Sequence, residues 1–420
     1  MQVFFSIVST LTMLIFLYQI VYLIVGLFCK PREFKESKNN RYAVLISARN
    51  EESVIAHLIQ SIKGQSYPAE LVDVYVVADN CTDTTADVSR KNGAIVFERF
   101  DTEHVGKGYA LDYLICKIKE SKGVEYYDGY FVFDADNILE PDYIEQMNKA
   151  FSSGYDIVTS YRNSKNYDTN WITSGYAIWF MRESRYMNNA RQILNTSSII
   201  AGTGFMFSKR VVKENDGWKW HLLSEDTEFT AHHIINGYKA GYCHKAMFYD
   251  EQPETFKTSW RQRMRWAKGS LQVFRFYGGR LFKGIFKNNH ETKNRFSHLD
   301  QLFITIPMIF MMLAAFAGLV CDVIYAVPYG RQAVITSLMD FVTFFATMYL
   351  TFFLMGLITV ITEWRYINST RFKKLIYLIS FPIFMLTWLP IGVVALFKKV
   401  QWVPIEHKVC KDINEIKKPE

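Results

Sequence analysis

Paired cysteines are missing from this 420-residue chain. Cys29, Cys81, Cys116, Cys243, Cys321 and Cys410 are scattered, with no CxxC spacing among them. That argues against a disulfide framework and against a zinc site, and it makes a reducing compartment the expectation for the soluble part. A strong excess of one charge is missing too. Lys and Arg number 48 against 41 Asp and Glu, a formal net charge of +7. No basic stripe interleaved with base-stacking aromatics is present, so nucleic acid is not an expected partner. The modest basic excess suits anionic lipid or a phosphorylated ligand. Charge of either sign is absent from residues 2–28. At about 1.5 Å of rise per residue that run is long enough to cross about 30 Å of hydrocarbon. It lacks the basic start, shorter apolar core and small-residue cleavage site of a signal peptide, so a retained helix is expected. Lys30, Arg32, Lys35, Lys38 and Arg41 follow it. By the positive-inside rule that flank is cytoplasmic and the N-terminus outside.

What the chain does have is apolar surface. Half of it is hydrophobic and 16% is aromatic, high for a soluble enzyme. Three more apolar stretches lie at about 301–327, 333–361 and 375–397. "PYGRQ" between the first two suits the outside, and Arg365, Arg371, Lys373 and Lys374 suit the inside. The third stretch is ambiguous. If it spans, the lysine-rich tail ends outside. Pro382 and Pro390 interrupt it, and a kinked, re-entrant or interfacial segment would leave the tail inside. The expected organisation is a transmembrane helix over 1–30, a cytoplasmic domain over 31–298, a transmembrane region over 299–397 and a tail over 398–420.

The middle reads as α/β. "YAVLISA" (42–48), "VDVYVVADN" (72–80), "GAIVFER" (93–99) and "GYFVFDADN" (129–137) are short runs rich in Val, Ile, Tyr and Phe. Helical stretches lie between them, which predicts a mostly parallel sheet. Ligands of such sheets bind outside the carboxyl ends of the strands. Arg49, Asn50, Glu51, Asp79, Asn80, Asp134 and Asp136 stand at those ends.

In "FVFDADN" a continuing strand would point Asp134 and Asp136 the same way. Two close carboxylates are costly without a cation, and Mg²⁺ typically binds through one or two carboxylates plus substrate phosphates. The alternative is a strand-end turn in which Asp136 or Asn137 caps the next helix. Glu225 and Asp226 in "SEDTEFTAHHI" open a helix. They serve there either as first-turn acids behind a Ser224 cap or as a carboxylate held for proton transfer. "QRMRW" (262–266) follows.

Taken in order, "VVADNCTD", "DAD", "SED" and QxxRW resemble the processive family 2 glycosyltransferases, the group of cellulose, hyaluronan and chitin synthases. The resemblance spans nearly the whole chain. It implies a GT-A domain on the cytoplasmic face, a UDP-sugar donor, and Mg²⁺ or Mn²⁺ as cofactor. It implies uridine contacts for Ala48, Arg49, Asn50 and Glu51 of "SARNEE" and for Asp79, with Lys107 near the nucleotide and Asp134 facing the donor. Asp136 would hold the metal. Asp226 would be the general base, with Glu225 beside it positioning the acceptor or capping the helix. Arg265 would clamp the diphosphate, while Gln262 and Trp266 would meet the acceptor sugar. Gly202, Thr203 and Gly204 of "AGTGFMFSKR" would form a turn against which that sugar packs. Arg261 and Arg263 stay open to diphosphate or lipid head groups. "WITSGYAIWFMRESRYMNNARQIL" (171–194) and "LQVFRFYGGRLFKGIFK" (271–287) look amphipathic, suited to the membrane interface or to packing on the domain.

There are departures from the best-known members. No FxVTxK-like gating loop follows QxxRW, only one N-terminal helix is present, and no regulatory domain is appended. "WVPIEH" (402–407) suggests a tail that folds back to the site, against a disordered tail as the alternative. The expected function is polymerisation of a β-linked chain from a UDP-sugar, UDP-glucose first, with passage of the chain across the plasma membrane. A GlcNAc polymer synthase and a non-processive transferase acting on a lipid carrier are the alternatives. Accessory export proteins are not identifiable.

Overall fold

The structure, a computed structural model, describes residue 10 and residues 17–35, 37–287, 292–305 and 308–417. Most of the apolar run 2–16 lies outside the described residues. Helix α1 (Leu17–Phe28) is the part that can be placed.

An eight-stranded sheet follows, in the order β3-β2-β1-β4-β7-β6-β8-β5. Its parallel half is β1 (Tyr42–Ala48), β2 (Val72–Asp79), β3 (Ile95–Arg99) and β4 (Gly129–Asp134). Helices α2 (Ile55–Lys63), α3 (Thr85–Lys91) and α4 (Lys107–Lys122) make the crossovers. β1 is buried on both faces, which is why it reads as an unbroken apolar run. Tyr42, Val44 and Ile46 face the α2 side, while Ala43 and Leu45 face α4. The second half alternates direction. β5 (Ile138–Leu139) is antiparallel to β8 (Ala240–Asp250). β7 (Phe205–Ser208) is antiparallel to both β4 and β6 (Ile157–Ser164), and β6 runs parallel to β8. Parallel pairings predominate, and the fold is a GT-A-like α/β sheet.

Helix α5 (Tyr143–Ser152) covers one face. Helix α6 (Trp171–Arg182) continues through a π-helical turn, Glu183–Asn188, into α7 (Asn189–Ile193). The stretch expected to be amphipathic is thus nearly all buried, packed on the sheet and on the C-terminal helices. Helix α8 (Lys209–Asn215) and helix α9 (Glu225–Ile235) follow. Helix α10 (Phe256–Phe286) is 31 residues long and carries both QxxRW and the second amphipathic stretch. Phe274, Phe276, Phe282 and Phe286 are exposed along its far half, among Arg275, Arg280 and Lys283.

Helices α11 (Thr292–Thr305), α12 (Met308–Ala326), α13 (Arg331–Thr362), α14 (Arg371–Leu386) and α15 (Trp388–Phe397) come next, and α16 (Ile413–Lys417) closes the chain. Among the described residues, two helical stretches are long and apolar enough to cross a membrane, Arg331–Thr362 and Arg371–Phe397, with shorter apolar helices at Leu17–Phe28 and Phe316–Tyr329. Leu338, Met339, Val342, Leu350 and Leu354 of α13 are exposed.

The pair α14–α15 is tied to the α/β unit at both ends. Near its start the Tyr377 hydroxyl donates to the Asp168 carbonyl at 3.2 Å. Near its end Lys268 Nζ donates to the Ala395 carbonyl at 3.0 Å. The segment therefore lies along the domain. Helix α1 is anchored the same way. The Tyr18 and Tyr22 hydroxyls and Arg191 Nε all donate to the Asp300 carboxylate, at 2.9, 2.9 and 2.7 Å.

Candidate active site

The carboxyl ends of β1 and β2 form one rim. Ala48 ends β1, and its carbonyl accepts from Cys81 Sγ. Arg49, Asn50 and Glu51 follow. Asn50 takes a positive φ of 58° and clasps Thr82, accepting from its backbone N at 2.8 Å and donating to its Oγ1 at 3.1 Å. Glu51 is 7% exposed, and burial raises its carboxyl above the usual range. Asp79 ends β2 and pairs with Arg99 of β3 at 2.6 Å. Burial pushes Asp79 up, against the pull of Arg99. Arg99 was not anticipated, although it too stands at a strand end.

The strand-end motif departs from its sequence reading. β4 stops at Asp134, and a turn closed by Asn137 N to the Asp134 carbonyl carries Asp136 away. The two carboxylates do not line one extended strand. Asp134 accepts from Lys107 Nζ, which also donates to the Gly202 carbonyl at 2.8 Å. Asp136 is 4% exposed and accepts from Glu251 N at 2.7 Å. Neither Asp136 nor Asn137 caps a helix. Asn137 instead accepts from Thr203 Oγ1, and Thr203 Oγ1 accepts from Asp134 N at 2.9 Å. The turn 202–204 is thereby stitched to the motif. Gly202 and Gly204 have φ of 82° and 64°, where a side chain is strained. A Cβ on Gly204 would overlap the Phe248 ring.

Across that turn stands the acid pair. Glu225 and Asp226 open α9, and Ser224 makes no side-chain cap. Asp226 Oδ1 accepts from Thr227 N at 2.7 Å, and Oδ2 faces the Gly202 turn, 3.7 Å from where a Cβ would sit. Burial raises Asp226. Burial and the neighbouring Asp226 push Glu225 up to about 7.

Helix α10 forms the opposite wall. Arg265 Nη1 donates to the Leu223 carbonyl at 3.1 Å. Gly269 lets the helix close on Ser224, since a Cβ there would overlap the serine. Gln262 Oε1 is buried with no partner among the described residues. Trp266 meets Tyr176 edge-on with centroids 5.9 Å apart, and lies nearly parallel to Trp388 at 6.4 Å. Arg263 does not reach diphosphate or head groups. It is fully buried and donates to Thr387 Oγ1 at 2.6 Å and to the Phe384 carbonyl at 3.2 Å. Arg261 is exposed.

Sequence reasoning missed a further set at the ends of β6 and β8. Arg162 Nε donates to Asp250 at 2.8 Å, and Nη1 donates to the Ala201 carbonyl at 2.9 Å. Burial pushes Asp250 up to about 6, opposed by Arg162. The available signal was the same strand-end rule, applied to "SYRNS" and "YDEQ". Residues 402–410 run across the ends of β1 and β8.

A carboxylate-rich sheet edge, a carboxylate at a helix start and an arginine–tryptophan wall line one end of a GT-A-like sheet. Residues 39–269, more than half of the chain, match the family described as Glycosyltransferase like family 2. The chain belongs to the family 2 glycosyltransferases.

Among similar proteins, a probable glycosyltransferase of Bacillus subtilis is 28% identical over 58% of this chain and 58% of its own length. A beta-monoglucosyldiacylglycerol synthase of Trichormus variabilis is 22% identical over 90% of this chain and 80% of its own. A poly-beta-1,6-N-acetyl-D-glucosamine synthase of Staphylococcus aureus is 25% identical over 60% of this chain and 63% of its own. The match thus spans under two thirds of the first and third of these relatives. Among solved structures, a mannosyltransferase from Pyrobaculum calidifontis, in complex with GDP-Man and Mn2+, superposes with a TM-score of 0.58 at 15% identity, covering 94% of this chain and 99% of its own. That likeness shows the fold.

Proposed function

We propose that the protein is a membrane-bound inverting β-glycosyltransferase that builds a polymer from a UDP-sugar, UDP-glucose first, and passes the chain outward. The observation that carries this reading is the shared turn. Lys107 joins Asp134 to the Gly202 carbonyl, and Asp226 Oδ2 faces that same turn. The donor-facing Asp134 and the base Asp226 thus meet at one turn.

In this reading Ala48, Arg49, Asn50, Glu51 and Asp79 hold the nucleotide. Gln262, Trp266 and the turn Gly202–Thr203–Gly204 hold the acceptor sugar. Asp226 removes the acceptor hydroxyl proton. The hydroxyl oxygen bonds to the anomeric carbon from the face opposite UDP. The bond from that carbon to the phosphate oxygen breaks, and UDP leaves with the electron pair. Attack from behind inverts the centre. Lys107 and Arg265 offset the charge that develops on the diphosphate. Glu225 positions the acceptor.

Asp136 fits as a metal anchor. It is a hard, buried oxygen donor, and Mg²⁺ or Mn²⁺ is typically bound by one or two carboxylates and completed by substrate phosphates. Such an ion would supply charge neutralisation to the leaving diphosphate.

The bilayer is the second partner. The exposed Phe row of α10 and the apolar surface of α13 support membrane seating. With the tail on the catalytic unit and α14–α15 lying along it, that segment is an interface element and the tail is cytoplasmic. A second reading, transfer of one sugar to a lipid, is favoured by the alignment to the Trichormus glycolipid synthase over 90% of this chain. Purified full-length protein in lipid nanodiscs, offered a panel of UDP-sugars, separates the two. Product sizing and linkage-specific hydrolases should show a β-glucan. A one-sugar glycolipid would establish the second reading, and no transfer from any UDP-sugar would refute both.

A further inference from the structure

Residues 196–204 form no helix or strand, yet they are fastened at successive positions to the groups assigned above. The Ala201 carbonyl accepts from Arg162 Nη1 and the Gly202 carbonyl from Lys107 Nζ, at 2.9 and 2.8 Å. Thr203 Oγ1 accepts from Asp134 N. Ile200 N donates to Thr230 Oγ1 at 3.3 Å, and that hydroxyl donates to the Asp226 carbonyl at 2.8 Å. The segment thus joins the donor-facing carboxylate to the backbone of the assigned base. Its other end is held from outside the sheet. Asn188 grips Ile199 twice, its Nδ2 donating to the carbonyl at 3.0 Å and its Oδ1 accepting from the N–H at 2.9 Å. The same Oδ1 accepts from Arg191 Nη1 at 3.1 Å. Arg191 Nε and Nη2 fork onto the Asp300 carboxylate at 2.7 and 3.2 Å, where Tyr18 and Tyr22 of α1 also donate. Arg191 and Asp300 are fully buried.

We propose that Asn188, Arg191 and Asp300 are positioning residues for sugar transfer, and that they make the Gly202 turn depend on the seating of α1. This rests on the UDP-sugar reading above. The line of contact runs from Tyr18 and Tyr22 through Asp300, Arg191 and Asn188 to Ile199, with the turn next along the chain. A buried ion pair adds little net stability, because desolvation offsets the attraction. Its effect here is on arrangement. The guanidinium fork has one geometry for a carboxylate, so it fixes α7 against α11, and its third nitrogen fixes Asn188. Helix α1 supplies two of the four hydrogen bonds to Asp300 among the described residues. Without those two donors a buried carboxylate is left short of partners, which is costly, and the fork, Asn188 and Ile199 move with it. None of the three residues stands at the strand ends assigned to the nucleotide. They act on the turn that Asp226 faces, and leave donor binding alone. Sugar is then transferred at full rate only with α1 docked.

The test uses full-length protein in lipid nanodiscs, with UDP-glucose or whichever UDP-sugar the panel above selects. Transfer rate is expressed per UDP-binding site, counted by calorimetry, so misfolded protein does not enter it. Asn188→Ala should lower kcat per site about tenfold, the scale of two lost neutral hydrogen bonds. The double variant Tyr18→Phe/Tyr22→Phe, which removes only two hydroxyls, should lower it about threefold, since Arg191 still holds Asp300. Donor KM and UDP affinity should stay at wild-type values in both. Tyr67→Phe is the stability control. Its buried hydroxyl donates to the Asn40 carbonyl at 2.8 Å, apart from this line of contact, so it should lower the melting temperature and leave kcat per site unchanged. Should Asn188→Ala fail to fold, the tyrosine pair decides. Wild-type kcat per site in the tyrosine pair, a fall in UDP affinity that matches the fall in kcat, or an equal fall in Tyr67→Phe overturns the positioning role. Absence of wild-type transfer from every UDP-sugar would instead refute the reading on which it rests.

Discussion

Asp226→Asn isolates proton transfer from binding. Asp226 Oδ1 already accepts from Thr227 N at 2.7 Å, and an asparagine oxygen keeps that bond. Its nitrogen then replaces Oδ2, the atom facing the Gly202 turn. Shape is preserved and proton acceptance is lost. A positioned general base contributes about 10²–10⁴-fold, or about 3–5 kcal/mol of barrier. Single-turnover sugar transfer should fall by that factor, while UDP affinity changes little. The wild-type pH profile carries the same signature. The base works ionised, and burial raises Asp226 above the usual carboxylate range. The rate should therefore fall as pH drops through that raised pKa, and rise toward a plateau above it. Glu225 sits near 7 partly because Asp226 is charged, so the Asn variant should also lower Glu225. Glu225→Gln should cost less than Asp226→Asn and leave an acid limb. A near-wild-type Asp226→Asn beside a dead Glu225→Gln would refute the assignment and exchange the two roles.

Asp136→Asn should weaken UDP binding in Mg²⁺ or Mn²⁺ and cut synthesis strongly, and full wild-type activity in excess EDTA would remove the metal from the mechanism. Trp266→Ala deletes an aromatic face but leaves Arg265. Polymer should be lost while donor hydrolysis to UDP survives, and an unchanged polymer yield would make Trp266 a packing residue of the Tyr176–Trp388 cluster. Gly204→Ala puts a Cβ into the Phe248 ring at a φ of 64°. It should lower thermal stability, with a cost of about 1–3 kcal/mol for strain of this kind, and an unchanged melting temperature would show that the turn is not held as described.

Strand and helix order in the parallel half of the sheet was legible in sequence because buried parallel strands are short continuous apolar runs. The strand-end rule likewise marked Arg49, Glu51, Asp79 and Asp134 as one edge of the sheet. Local chemistry also marked the glycine turn, since Gly202 and Gly204 fall where positive φ is needed. Tertiary structure decided the rest. Whether Asp134 and Asp136 share a strand depends on where β4 ends, and a turn bonded to Thr203, 69 residues away, sets that. Arg263 has the same local pattern as Arg265, yet one is locked under α14 and the other reaches the Leu223 carbonyl. Hydropathy measures only the apolar content of 371–397, and that Tyr377 and Lys268 tie both ends of it to one unit appears only in the fold. The pairing of His407 with Glu51, 356 residues apart, has no local signature, because charge complementarity across a fold is a property of distance in space.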